Sequence, residues 1–430
     1  MPQVKTVLRG VRPYGEEPVD IVVAAGVIAE IATAGSGAGR VIEASGLIAL
    51  PGFVDIHTHL REPGREDAET VETGSRAAAL GGFTAVFAMA NTSPVADTAG
   101  VVEQVWHLGK ATGLVDVFPV GAVTIGLGGE QLAELGAMAT SAAQVRMFSD
   151  DGKCVHDAAI MRRALEYVKA FDGVIAQHAQ EPRLTVDAQM NEGVLSGQLG
   201  LTGWPGVAEE SIIARDVLLA EHVDSRLHVC HVSTAGSVEV IKLAKSRGIK
   251  VTAEVTPHHL LLTEDLVASY DPVYKVNPPL RTSTDVTALR AALAAGTIDA
   301  IATDHAPHPH EDKDCEWAAA AFGMLGLQTA FSIAVLTMIN SGLLDWRALA
   351  DRMSVRPARI GRALGHGNEL EVGAPANICV VDPGASWVVE PATFASKSRN
   401  SPYAGMTLPG KIMHVLKAGK PTVEGGDLAC

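Results

Sequence analysis

Phe53-Val54-Asp55-Ile56-His57-Thr58-His59 reads as an apolar strand that ends in two histidines one residue apart. Side chains alternate along a strand, so His57 and His59 leave it on the same side, at its carboxyl end. By itself such a pair is more often two sheet-end histidines than a metal site. The arrangement returns further along the chain, however. Asp150-Asp151 follow Met147-Phe148, His178 follows Val174-Ile175-Ala176, His231 follows His228-Val229-Cys230, and Asp304 follows Ala300-Ile301-Ala302. Side chains of metal-binding chemistry at successive strand ends require a fold that brings those ends to one point.

Strand-like runs occur at 54–57, 84–88, 115–120, 145–148, 174–177, 227–230, 250–255 and 300–303. Helical stretches rich in Ala, Leu and Glu lie between most of them, among them 157–171, 211–221, 237–247 and 285–295. Ser237 and Asp285 are expected helix starts, with Gly248 and Gly296 placed where helices stop. Alternation on this scale predicts an α/β protein with a (β/α)8 TIM-type barrel; a doubly wound open sheet is the alternative. The ligands favour the barrel, because an open sheet cannot readily converge the ends of its first, fourth, fifth, sixth and eighth strands.

The two ends of the chain read differently. Val4 to Leu8, Asp20 to Val23, Val27 to Ile31, Asn377 to Asp382 and Lys411 to Ala418 are short β-type runs punctuated by glycine. The expected organisation is a small β-rich domain composed of 1–51 and 365–430 around a barrel of 52–364. The chain has 430 residues, 47% of them apolar, and a net charge of −15, which argues against nucleic acid and anionic membrane as partners. Five scattered cysteines (Cys154, Cys230, Cys315, Cys379 and Cys430) show no metal-type spacing and fit a reducing compartment. The start lacks the layout of a secretion signal, and no apolar run approaches membrane-spanning length, so a soluble, cytoplasmic protein is expected.

Two metals about 3.5–4 Å apart would need a bridging anion at strand four. Asp151 is the choice, with Asp150 turned away by alternation and Lys153 a remaining candidate. His57, His59, His178, His231 and Asp304 complete the expected set, and imidazole with carboxylate suits Zn²⁺ without excluding Mn²⁺, Fe²⁺ or Co²⁺. Asp304 is the expected general acid/base. The histidines nearest this set, His258, His259 and His305, are expected to orient ligands rather than bind metal.

Asp55-Ile56-His57-Thr58-His59-Leu60-Arg61-Glu62-Pro63-Gly64 and Ala302-Thr303-Asp304-His305-Ala306-Pro307-His308 resemble the two signatures of the dihydroorotase family, long bacterial type I, in the amidohydrolase superfamily. Met89-Ala90-Asn91-Thr92, Phe148 to Gly152, Thr256 to His259, Val276 to Leu280 and Ala321 to Gly323 extend the resemblance over nearly the whole chain. It implies reversible cyclisation of N-carbamoyl-L-aspartate to L-dihydroorotate in de novo pyrimidine (UMP) biosynthesis. The implied mechanism uses a hydroxide bridging two Zn²⁺ per subunit, with Asp151 as the bridging side chain. Relatives such as hydantoinases bridge through a carboxylated strand-four lysine; here the equivalent place carries Arg146, which cannot readily form that carbamate.

A substrate with a ring carboxylate calls for a cation, and Arg61 lies two residues beyond His59. Outside this motif it would read as a surface arginine paired with Glu62 or Glu66. The resemblance further implies substrate contacts from His59, Asn91, Asn277, His308, Phe322 and Gly323. Residues 307–322 are expected to form a loop able to move as a lid. Rival readings are another cyclic amidase, with allantoinase nearest, or an inactive scaffold that holds aspartate transcarbamoylase. A homo-oligomer is expected, and a complex with aspartate transcarbamoylase is compatible with activity.

Overall fold

The computed structural model describes residues 5–429; Val4 and Cys430, both used in the sequence reading, lie outside them. Five strands come first: β1 (Thr6–Pro13), β2 (Val19–Ala24), β3 (Val27–Thr33), β4 (Arg40–Glu43) and β5 (Ile48–Pro51). The barrel strands follow as β6 (Phe53–Thr58), β7 (Phe83–Ala88), β8 (Asp116–Pro119), β9 (Met147–Phe148), β10 (Val174–Gln177), β11 (Leu227–Val229), β12 (Val251–Val255) and β13 (Ala300–Ile301). The chain ends with β14 (Ile378–Val388), β15 (Thr407–Lys417), β16 (Lys420–Glu424) and β17 (Asp427–Leu428).

Strands β6 to β8 pair in parallel, as do β9 to β13. Two parallel bridges, Thr58 with His305 and Gly121 with Phe148, join these arcs and close the (β/α)8 barrel. Its strands are buried on both faces, which explains their nearly continuous apolar sequence. Val54, Ile56, Ala85, Phe87, Met147, Val174, Ala176 and Ala300 fill the interior. A larger apolar layer lies between the strands and the surrounding helices.

Two helix starts differ from expectation. Thr234 and Thr282, not Ser237 and Asp285, cap the helices Ala235–Ser246 and Ser283–Ala295. The Thr282 hydroxyl accepts from Asp285 N–H, while the Asp285 carboxylate accepts from Thr282 N–H at 3.2 Å. Asp285 therefore sits one turn inside, as the far half of a capping box.

The sequence-terminal strands form one nine-stranded sheet, in the order β17-β16-β15-β14-β5-β1-β2-β3 with β4 beside β1. The antiparallel pairing of β5 with β14, Leu50 opposite Cys379, joins the two ends of the chain. Leu8, Ile21, Ile28, Ala49, Ile378, Val380 and Leu416 form its core. At the junction with the barrel, Asp116 on β8 accepts from Lys417 on β15 at 2.8 Å and pairs with His366 at 2.9 Å. No helix among the described residues is long and apolar enough to cross a membrane.

Candidate metal centre

The barrel brings all six proposed ligands to its carboxyl-end mouth, as two groups that share one residue. His57, His59, Asp151 and Asp304 form one; Asp151, His178 and His231 form the other. Asp151 divides its carboxylate between them. Its Oδ2 lies 3.3 Å from Nε2 of both His57 and His59, and its Oδ1 lies 3.2 Å from His178 Nδ1 and from His231 Nε2. Asp304 Oδ1 is 3.1 Å from His59 Nε2 and 3.5 Å from His57 Nε2. All six side chains are buried.

The ring nitrogens turned away from the centre are held by other side chains. His57 Nδ1 meets Glu254 Oε1 at 2.6 Å, His59 Nδ1 meets Asn91 Oδ1 at 2.9 Å, and His178 Nε2 meets Gln180 Oε1 at 2.8 Å. Each partner is an acceptor, so each of these nitrogens carries the proton and the opposite nitrogen keeps a lone pair for a metal. His57 Nε2 is buried with no hydrogen-bond partner, although two carboxylates lie close by. That orphaned nitrogen, with the divided Asp151 carboxylate, fits a site for a divalent cation. Burial opposes ionisation of Asp304, but the imidazoles of His57 and His59 hold its carboxyl well below the usual range. Three residues here, Arg61, His231 and Asp304, adopt left-handed backbone angles (φ 61°, 30° and 47°), which non-glycine residues seldom do; such strain concentrates at functional sites.

Asp150 lies outside the cluster. Its Oδ1 accepts from the N–H groups of Val123 and Thr124 at 2.8 and 3.0 Å, and its Oδ2 accepts from the Thr124 hydroxyl, fixing the neighbouring loop. Arg146 donates to the carbonyls of Ala139 and Val145. The expected orienting role of His258, His259 and His305 is not seen in their side-chain bonds. His259 bonds Thr256 and the Pro278 carbonyl, His305 bonds Glu69, and His258 Nε2 has no partner. Glu254, Asn91 and Gln180 hold the ligands instead. Glu254 had a sequence signal: a carboxylate inside the apolar run Val251–Val255 must have a partner once buried. His228, on its sequence an ordinary packing histidine, supplies one at 3.0 Å.

Beside the centre, Arg61 Nε donates to the Pro307 carbonyl at 3.0 Å, and its Nη2 lies 3.5 Å from His308 Nε2. No carboxylate of the described residues forms an ion pair with Arg61; Glu62 and Glu66 accept instead from the N–H groups of Val71 and Gly64. Burial lowers the Arg61 guanidinium to about 10, so it remains charged at neutral pH. His308 Nε2 donates to the Phe322 carbonyl at 2.8 Å. Gly323 N–H donates to the Lys275 carbonyl at 2.9 Å, and a Cβ at Gly323 would come within 2.8 Å of His308 Nε2.

The 307–322 segment expected to move is fastened from beneath. Lys313 Nζ donates to the carbonyls of Pro272, Lys275 and Ala321 at 2.9, 3.0 and 2.7 Å. Lys275 Nζ donates to the Trp317 carbonyl at 2.7 Å and lies 4.5 Å from the centre of the Phe322 ring. A segment between β14 and β15 also reaches the mouth, unforeseen in the sequence. Asn400 accepts from His308 N–H at 3.2 Å and donates to the carbonyls of Ala306 and Gly323 at 3.0 and 3.2 Å.

Comparison with known proteins shows the family. The family model described as dihydro-orotase-like matches residues 46–237. A curated dihydroorotase of Streptomyces coelicolor is 67% identical over 99% of this chain and 99% of its own. The chain belongs to the dihydroorotase family. The dihydroorotase of Mycobacterium tuberculosis is 59% identical over 98% of this chain and 99% of its own. Among solved structures, the L-hydantoinase (dihydropyrimidinase) of Arthrobacter aurescens superposes with a TM-score of 0.86 at 25% identity, covering 99% of this chain and 98% of that one. A dihydropyrimidinase of Brevibacillus agri gives 0.84 at 22% identity over 99% and 96%, a likeness of fold alone. The dihydroorotase-family chain is thus an amidohydrolase-type enzyme whose buried His/Asp cluster can bind metal.

Proposed function

We propose that this site interconverts N-carbamoyl-L-aspartate and L-dihydroorotate, with ring closure as the direction used in pyrimidine biosynthesis. The observation that carries the substrate assignment is Arg61, a charged guanidinium beside the metal centre without a carboxylate partner among the described residues. Both substrate forms carry the carboxylate it lacks, whereas hydantoins and dihydropyrimidines need not.

His57, His59 and Asp304 would hold one divalent ion and His178 with His231 a second, Asp151 serving both; the donor set suits zinc. When bound, such a pair polarises a carbonyl oxygen and lowers the pKa of water. Asp304 takes the proton lost by the water that adds to the ring amide carbonyl, then delivers it to the departing ring nitrogen. In ring closure Asp304 accepts a proton from the carbamoyl nitrogen as that nitrogen attacks the side-chain carboxyl carbon; a C–O bond of that carbon then breaks, and Asp304 returns the proton to the departing oxygen, which leaves as hydroxide. Arg61 pairs with the ring carboxylate. Asn91 supports it through Nδ2, its Oδ1 being engaged by His59. His308, Phe322 and Gly323 line the pocket beside Arg61, and Asn277 contacts the ring amide. In this reading the barrel of 52–364 carries the chemistry, and the composite β-domain of 1–51 and 365–430 braces it.

The test is ring opening of L-dihydroorotate, hydantoin, dihydrouracil and allantoin by the purified chain, with bound metal quantified. Turnover of dihydroorotate alone, abolished by a chelator and restored by Zn²⁺, is expected. Preference for a neutral ring would overturn the Arg61 assignment.

A further inference from the structure

Gln180 stands between the metal centre and the substrate pocket, and its neighbours fix which way its amide faces. His178 turns Nδ1 toward Asp151 and so must present an N–H at Nε2, which lies 2.8 Å from Gln180 Oε1. At the other end, the Thr185 hydroxyl donates to the Glu181 carbonyl at 3.2 Å and therefore accepts from Gln180 Nε2 at 2.7 Å. Both neighbours demand the same orientation, with oxygen toward His178. The same oxygen receives Asn277 Nδ2 at 3.1 Å. Asn277 must then use its nitrogen on Gln180, which leaves Oδ1 as its free atom. That oxygen is buried and has no partner. A buried acceptor without a donor is costly, so this one awaits a donor from a ligand.

We propose that Gln180 is a positioning residue that carries the polarity set at the metal ligand His178 to Asn277, making Asn277 Oδ1 an obligatory acceptor for a substrate N–H. The proposal deepens the functional reading above and rests on it. A ring imide N–H or a ureido N–H satisfies the acceptor; an ester or ether oxygen at that place meets oxygen with oxygen and is rejected.

The test measures binding of orotate, an unreactive ring carrying both the carboxylate and the N–H groups, to zinc-loaded enzyme by calorimetry. Metal content and thermal midpoint are recorded for every variant. Gln180→Met keeps the length of the side chain but removes the acceptor, and should weaken orotate binding by roughly 5–10-fold at full metal occupancy. Gln180→Glu keeps an oxygen toward both donors, and should restore most of that loss. Asn277→Ala should cost little further affinity once Gln180→Met is present, because the two losses are one interaction. Wild-type affinity in fully metallated Gln180→Met, failure of Gln180→Glu to restore binding, or independent addition of the two losses would overturn the proposal. Wild-type enzyme that neither binds orotate nor opens dihydroorotate would overturn the functional reading and the proposal together.

Discussion

Glu254 on β12 reaches across the barrel to His57 on β6, Oε1 to Nδ1 at 2.6 Å, while its Oε2 holds His228 at 3.0 Å. Burial works against the charge, but His57 and His228 bring the Glu254 carboxyl down to about 2. One carboxylate thereby fixes the tautomer of a candidate metal ligand two strands away around the closed barrel. Glu254→Ala should weaken metal retention by about 10–100-fold, as loss of such supporting partners generally does. Zinc release to a chromophoric chelator checks this, and retention equal to wild type would remove Glu254 from the role.

Asp304→Asn keeps an oxygen for metal but not a base. The expected loss in kcat is roughly 10²–10⁴-fold in both directions, with most of the metal retained. A near-wild-type rate at confirmed metal content would assign the proton transfers elsewhere.

Arg61→Met should chiefly raise KM. A charge-assisted hydrogen bond contributes about 1.5–3 kcal/mol, so roughly 10–100-fold weaker apparent binding is expected for both carboxylated substrates. Unchanged affinity would discard the clamp.

Asp116 offers a pH test away from the metals. Burial raises its carboxyl, but His366 and Lys417 outweigh that and hold it at about 2. A depressed folded-state pKa means the stabilisation is complete above the unfolded value near 3.8 and disappears as pH falls through about 2. In metal-free protein, wild type and Asp116→Asn should therefore differ by a constant denaturation midpoint above about pH 5, converging toward pH 2. The carboxylate is 44% exposed, so solvent screening keeps the difference small. A gap that widens on acidification would contradict the assignment.

The barrel and its six candidate ligands were legible because strand alternation and strand-end position follow directly from local sequence. What was not legible depends on distant partners. Nothing near Gln180 announces Asn277, and nothing near Asn400 announces His308, 92 positions earlier. The helix starts differ for a local reason: an N-cap threonine is followed three residues on by a second polar residue, and Ser237 and Asp285 are those inner residues, Asp285 closing a capping box with Thr282. Arg61 was visible as a cation, but only the fold shows that Glu62 and Glu66 are committed to backbone N–H groups.

Asn400 fastens Ala306, His308 and Gly323 at the mouth from a segment that follows the whole barrel in the chain. Ser398 and Lys397 grip the neighbouring loop after β6 through the carbonyls of Ala68 and Glu66. During synthesis on the ribosome, all eight barrel strands thus emerge before the clasp that sets their rim. A nascent chain halted short of residue 400 would carry every candidate metal ligand and still lack the side chain that ties Ala306, His308 and Gly323 together.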